Sequence, residues 1–376
     1  MSEQRPALEL RHVNKSFGPV HANKDISLSV DRGSIHGIVG ENGAGKSTLM
    51  SIVYDFLNGI SALAIFSDSG EILVNGTPCH IDNPQSSIEA GIGMVHQHFM
   101  LVDTFTVLEN IILGIEGGAR LSKGLAAARE ELIRLEKEYS LEVNVDAVVG
   151  DLPVGLRQRV EILKALYREA EILILDEPTG VLTPQEADHL FRILDTLRQQ
   201  GKTVILITHK LREIMAITDS VSVMRRGEMV AHLKTANTTR DALAELMVGR
   251  SVLLRVEKSP AKPAETLMAI RNLNYVDMDN VPRLKSLDLD LKAGEILGIA
   301  GVSGNGQSEL LEILGGMLSP TSGSIQYKGQ ELVGSKAFYA RNLRKIGIGH
   351  VPEDRHRSGL VLSFSANECT ILGYHD

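Results

Sequence analysis

The sequence predicts an α/β protein organised on a mostly parallel sheet, and written twice. Three observations carry that expectation. The runs Ile35 to Val39, Glu171 to Leu175 and Thr203 to Ile207 are apolar on both faces, the pattern of central strands covered by helices on two sides. The stretch Gly40-Glu41-Asn42-Gly43-Ala44-Gly45-Lys46-Ser47 joins the first of these runs to a helix-like segment beginning at Thr48, with the spacing of a phosphate cradle. The third observation is a repeat: Gly294 to Ser308 restates Gly33 to Ser47.

The bulk properties narrow the class. At 376 residues, 43% hydrophobic and 23% charged, the chain is globular and long enough for one large domain and part of another. A net charge of −8 argues against coating nucleic acid, so no nucleic-acid partner is expected. Two distant cysteines, Cys79 and Cys369, give neither a disulfide framework nor metal-ligand spacing and fit a reducing compartment. No apolar run approaches the ~20 residues that span a bilayer, so a membrane role requires a partner.

Taken in order, Leu8 to Val13 and Ile26 to Val30 alternate as half-buried strands, and Asp31-Arg32-Gly33 turns into the strand before the cradle. Phe17 precedes the cradle in a chain with only 4% aromatics and offers a face for a purine ring. In the cradle, glycines let successive N–H groups face an anion, the helix start adds its positive end, and Lys46 and Ser47 supply a cation and a Mg²⁺ ligand. An apolar segment, Tyr54 to Phe66, follows. Glu71 to Gly76 is a strand and turn. Ile92 to Val95 is a buried strand ending in His96-Gln97-His98, where no carboxylate or cysteine stands at metal-ligand spacing.

From Thr106 to Tyr167 the pattern is helical, with Leu125, Ala128, Leu132, Leu135 and Tyr139 on one face. Within it, Leu152 to Glu161 opens a further helix. The strand from Glu171 stops in Asp176 and Glu177, at the carboxyl edge where open α/β sheets bind ligands. There Asp176 can complete a Mg²⁺ shell and Glu177 can deprotonate an attacking water. The strand from Thr203 ends in His209, which can donate to a γ-phosphate oxygen. Arg240 to Val248 reads as a short helix, and Ser259 to Glu265 as a linker.

The second copy departs from the first. Between the loop helix and the next strand it lacks eight residues that the first copy carries in the Tyr54 to Phe66 segment. Gln307 stands where the first cradle has Lys46. By the repeat spacing, the second carboxylate pair would fall at about position 430, past Asp376. Hydrolysis at the second cradle is therefore expected to be negligible.

In that order, a phosphate loop at Gly40, a glutamine loop at Gln97, a signature-like Leu152 to Gln158, the strand into Asp176-Glu177 and a switch His209 resemble the ATP-binding cassette (ABC) ATPases. The tandem arrangement, the lysine-less second loop and Val351-Pro352-Glu353-Asp354-Arg355 resemble the ATP-binding subunit of simple-sugar and nucleoside importers. The resemblance implies a P-loop NTPase fold with a RecA-like sheet, an antiparallel β subdomain and an inserted helical subdomain, duplicated. It divides the chain into a first cassette at 1–250 with its helical subdomain at about 98–168, a linker at 251–266 and an incomplete second cassette at 267–376.

It further implies that Gly40, Asn42, Gly43, Gly45, Lys46, Ser47 and Thr48 bind ATP while Phe17 stacks adenine. Ser47, Gln97 and Asp176 would serve Mg²⁺, and Glu177, His209 and Gln97 would be catalytic. The expected partners are ABC permease subunits, touched near Val107 to Leu113, indirectly an extracytoplasmic substrate-binding protein, and a possible second copy in a homodimer. The expected place is the cytoplasmic face of the cell membrane. Pro153 stands where the family's signature has a serine, and Thr183 where many members have an aspartate. The alternatives are a soluble ABC ATPase outside transport and a truncated nucleotide-binding form that hydrolyses little by itself.

Overall fold

A computed structural model describes residues 5–54, 67–81, 83–96, 99–114, 121–180, 182–250, 260–278, 280–301, 304–334, 338–352 and 359–373. The chain divides into two compact units, Met1–Arg255 and Val256–Asp376.

In the first unit the order is β1 (Leu8–Phe17), β2 (Val20–Val30), β3 (Ile35–Val39), α1 (Lys46–Tyr54), β4 (Ser69–Val74), β5 (Thr77–Pro78), α2 (Pro84–Glu89) and β6 (Ile92–Val95). There follow α3 (Val107–Ile112), α4 (Leu121–Tyr139), α5 (Val154–Tyr167), β7 (Ile172–Asp176), α6 (Pro184–Gln199), β8 (Thr203–Ile207), α7 (Leu211–Ile217), β9 (Ser220–Arg225), β10 (Glu228–Lys234) and α8 (Arg240–Val248). Two sheets result. One is antiparallel, in the order β2-β1-β4-β5, and the other has the order β10-β9-β3-β8-β7-β6. In the larger sheet only the β9–β10 pair is antiparallel. The hairpin strands run longer than the alternating patterns, because the pairing continues through bulges to Phe17 opposite Val20.

The three strands formed by these runs, β3, β7 and β8, are buried along their whole length, with Glu171 exposed just before β7. Strand alternation shares their side chains between two cores. Leu173, Leu175, Val204 and Leu206 pack with helices α3 to α8, while Ile172, Ile174, Ile205 and Ile207 pack with α1 and the antiparallel sheet. Each such side chain contributes roughly 1.5–3 kcal/mol when fully buried, so the β7 and β8 carboxyl ends are anchored in both cores.

Local signals fix where the helices begin. Thr106 with Glu109 and Thr183 with Glu186 form reciprocal capping boxes at α3 and α6. Thr183, set against an aspartate in the sequence reading, serves here as a helix cap: its hydroxyl accepts from the Glu186 N–H at 3.3 Å. Pro153 stands at the N-cap of α5 with no side-chain cap.

The second unit holds β11 (Thr266–Val276), β12 (Pro282–Lys292), α9 (Gln307–Leu314), β13 (Ser322–Tyr327), β14 (Gln330–Glu331), α10 (Ala340–Lys345) and α11 (Ala366–Ile371). Its sheet, β12-β11-β13-β14, matches the antiparallel sheet of the first unit strand for strand. A core of Met268, Ile270, Leu273, Leu310, Ile313 and Ile325 closes it. The apolar run Glu295 to Ala300, the counterpart of β3, forms no strand, and Ile296 is fully exposed. In the first unit β3 is held between β8 and β9. Among the described residues of the second unit no parallel strand flanks the equivalent run, so its backbone has no ladder to join.

Several sequence readings fall outside the described residues: Gln97, the segment after Tyr54 as far as Phe66, and Glu353 to Arg355.

Candidate nucleotide site

The cradle rises from the buried end of β3 and closes on α1. Two of its glycines are required by close backbone approach. A Cβ on Gly40 would meet the Met224 carbonyl oxygen at 2.4 Å, where β9 passes under the loop. One on Gly45, at φ +98°, would meet the Ala22 carbonyl oxygen at 2.3 Å, where β2 passes over it. Asn42 and Gly43 are exposed at the tip, and Thr48 is half-buried in the first turn of α1.

The Lys46 side chain is only 6% exposed and curls back over the loop. Its ammonium donates to the carbonyls of Gly40 at 2.8 Å and Glu41 at 3.0 Å, which leaves one of its three protons for a phosphate. Burial lowers the Lys46 pKa, and the nearby Glu177 and Asp176 carboxylates oppose that shift. Burial likewise raises Asp176, offset first by the hydrogen bond from the Ser47 hydroxyl. The Lys46 cation, the Ser47 hydroxyl and the Asp176 carboxylate thus meet in one partly dehydrated corner.

The other two predicted groups meet beside it. Glu177 Oε1 lies 2.8 Å from His209 Nδ1, so the imidazole keeps Nε2 for a phosphate oxygen. Glu177 is half-buried and holds a left-handed backbone, φ +46°, with its N–H on the Ile207 carbonyl at 2.8 Å. For a residue with a Cβ this conformation is uncommon, and it is found at functional turns held by their surroundings.

Phe17 is placed at the end of β1, 45% exposed, with the Lys15 ammonium 5.4 Å from the ring centroid. It belongs to the hairpin whose second strand brings Ala22 and Asn23 against Gly45.

Three residues support these groups; sequence reading passed over Asn23 and Glu213 and placed Gln158 only as the end of the signature-like segment. Asn23, 1% exposed, donates from Nδ2 to the Gly45 carbonyl at 3.1 Å and holds the loop from outside, while its Oδ1 has no partner. Gln158, buried on α5, donates to the Pro178 carbonyl at 2.9 Å and so links the signature helix to the turn after Glu177. Glu213 on α7 joins the loops after β7 and β8. None of the three stands out along the chain, where Asn23 is followed by Lys24 and Asp25 and Gln158 lies between two arginines; only the tertiary fold supplies the partners.

A glycine loop with a buried lysine, a hydroxyl–carboxylate pair at its helix start and a base beside it define a P-loop ATPase. A sequence profile described as "ABC transporter" matches residues 23–180 and 284–365, touching both units. Residue for residue, the chain is 45% identical over 361 residues to the nucleoside import ATP-binding protein NupA of Lactococcus lactis subsp. cremoris, covering 96% of this chain and 69% of that one. It is 45% identical over 365 residues to the guanosine import ATP-binding protein NupO of Bacillus subtilis, covering 97% and 69%. With the ribose import ATP-binding protein RbsA of Chromobacterium violaceum the identity is 36% over 368 residues, covering 98% and 70%.

Among solved structures, the ADP conformation of an ATP-binding cassette of an ABC transporter superposes with a TM-score of 0.55 at 25% identity, over 65% of this chain and 99% of that one. The cbiO1 protein of Clostridium perfringens, part of an ABC transporter complex, gives 0.53 at 26% identity, over 65% and 93%. The chain belongs to the ABC transporter family, as one of its ATP-binding proteins.

Proposed function

We propose that this protein binds and hydrolyses ATP in its first unit to drive import of a nucleoside or a simple sugar through a partner permease in the membrane. The observation that carries the reading is the convergence of Lys46, Ser47, Asp176, Glu177 and His209 at one end of the parallel sheet. The printed functions of the relatives supply the class of cargo. Among the described residues no helix is long and apolar enough to cross a membrane, which agrees with a peripheral subunit held at the cytoplasmic face by its permease.

In this reading Gly40, Asn42, Gly43, Gly45 and Thr48 line the phosphates with their N–H groups, and Lys46 turns its remaining proton to the β- and γ-oxygens. Phe17 stacks the adenine. Ser47 and Asp176 bring two hard oxygen donors into contact, a donor set that fits Mg²⁺, with Gln97 as a further ligand. Mg²⁺ bound there supplies charge neutralisation at the phosphate oxygens. Glu177 takes the proton of the attacking water, and His209 Nε2 holds a γ-phosphate oxygen. Residues 1–250 act as the hydrolytic cassette and 267–376 as a cassette with a weakened phosphate loop.

Affinity purification of the tagged chain from its native membrane tests the assignment. Permease subunits should come with it, and vesicles bearing the complex should take up labelled nucleoside or ribose only with ATP inside the ATPase compartment. Recovery with ribosomes or DNA-repair factors and no membrane protein would contradict it.

A further inference from the structure

The loops after β7 and β8 carry Glu177 and His209, and hydrolysis needs both to address the same phosphate. A buried carboxylate ties the two loops together. Glu213, 7% exposed on α7, accepts at Oε1 from the hydroxyl of Thr179, two residues past Glu177. At Oε2 it accepts from the hydroxyl of Thr208 at 3.1 Å, the residue before His209.

Lys210 fixes the direction of both bonds. Its ammonium donates to Thr179 Oγ1 at 3.1 Å and to the Thr179 carbonyl at 2.9 Å, and its N–H donates to Thr208 Oγ1 at 3.0 Å. Each hydroxyl therefore receives from Lys210 and spends its one proton on Glu213. The position calls for an acceptor at both oxygens, which a carboxylate provides and a carboxamide does not.

We propose that Glu213 is a positioning residue for ATP hydrolysis: through Thr179 and Thr208 it holds the Glu177 loop and the His209 loop in one register. The proposal rests on Glu177 and His209 acting as assigned above. The buried, satisfied network behaves as a unit, and a base displaced by about 1 Å loses on the order of 10²-fold in rate. Glu213→Gln changes no side-chain volume of consequence but sets an NH₂ group against one hydroxyl proton, so one of the two ties opens.

The test is single-turnover hydrolysis with the full chain in excess over ATP, alongside the ATP dissociation constant and the thermal midpoint. Glu213→Gln should slow hydrolysis about 10- to 100-fold and leave ATP affinity within about threefold and the melting temperature nearly unchanged. Thr179→Val and Thr208→Val, which delete the donors one at a time, should each slow it. Combined with Glu213→Gln, the valine at the tie that the amide has opened should add little, while the valine at the remaining tie should slow it further.

Hydrolysis by Glu213→Gln at the parent rate overturns the proposal. If that variant melts early or binds ATP poorly, the two valine variants decide: parent rates in both overturn it, and slowed hydrolysis with retained affinity supports it. Glu177→Gln in the same assay separates the two levels. Unchanged hydrolysis there removes the base assignment itself, whereas loss there with a parent rate for Glu213→Gln removes only the positioning role.

Discussion

In the first unit Asn14 staples a bulge in β1. Its Nδ2 donates to the His12 carbonyl at 2.8 Å and to the Ser69 hydroxyl at 3.1 Å, and its Oδ1 accepts from the Asp25 N–H at 2.8 Å. Asn274 does the same in β11, donating to the Asn272 carbonyl at 2.7 Å and to Ser322 at 3.1 Å, and accepting from the Ser286 N–H at 2.8 Å. The flanking backbones agree as well, with φ near +50° at His12, Asp25, Asn272 and Ser286 and above +100° at Gly70 and Gly323. The frame around the two phosphate loops is one frame.

The side chains facing the loops differ. Gln307 takes the place of Lys46, and its amide lies where a Cβ on Gly301 would stand, 1.9 Å from Nε2. Leu284 takes the place of Asn23: its methyl approaches Gly306 where the Asn23 amide approaches Gly45. Leu297 takes the place of His36 in the run before the loop. Loop geometry is thus carried by bulges and glycines, while phosphate chemistry is carried by a handful of polar groups that can change without disturbing it.

The comparison yields predictions of decreasing size. Glu177→Gln, which removes the proposed base, a group the second unit does not show among its described residues, should cut turnover about 10²–10⁴-fold while ATP affinity stays near the parent value; phosphate release and equilibrium titration read the two quantities.

His36 is buried between the hydroxyls of Ser220 at 2.8 Å and Ser222 at 2.7 Å, and burial, its largest cause, pushes its pKa down to about 4. Below about pH 6.5 the unfolded chain takes up a proton that the folded one refuses, so this contribution to stability is present above 6.5 and is lost as the pH falls toward 4. The loss amounts to about 3 kcal/mol. His36→Leu, the residue of the second unit, should flatten that part of the stability profile of the first unit, seen in denaturant melts at stepped pH. An unaltered slope between pH 6.5 and 4 would show that other groups govern it.

A smaller effect is expected at Asn23. Asn23→Leu removes the donor to Gly45 and a buried oxygen without a partner, losses and gains that partly offset. ATP affinity should weaken about 3- to 10-fold, equivalent to about 1 kcal/mol. Leu284→Asn in the second unit should leave it unchanged in the same titration.

How much of this could be read along the chain follows from the range of the forces involved. The strands at Ile35, Ile172 and Thr203, the cradle and the two carboxylates were legible because each is a local pattern whose chemistry needs few neighbours. The repeat exposed Gln307 at once. Asn23, Glu213 and the contact made by Gln158 were not legible, because a buried polar side chain is explained only by its partner, and theirs lie 20 or more residues away or on another loop. The run at Glu295 carried a strand pattern yet forms none, since a strand is completed by the strands beside it. Thr183 read as a lost aspartate and proves to be a cap, a role visible beforehand in the Thr183-to-Glu186 spacing.

The central claim is that the first loop is the tight ATP site and that the difference lies in Lys46. Equilibrium titration of ATP against Lys46→Ala and Gln307→Ala, in otherwise identical full chains, tests it most directly. Lys46→Ala should abolish high-affinity binding, a loss of about 10²-fold or more, while Gln307→Ala should leave it intact. Normal affinity in Lys46→Ala, or its loss in Gln307→Ala, would contradict it.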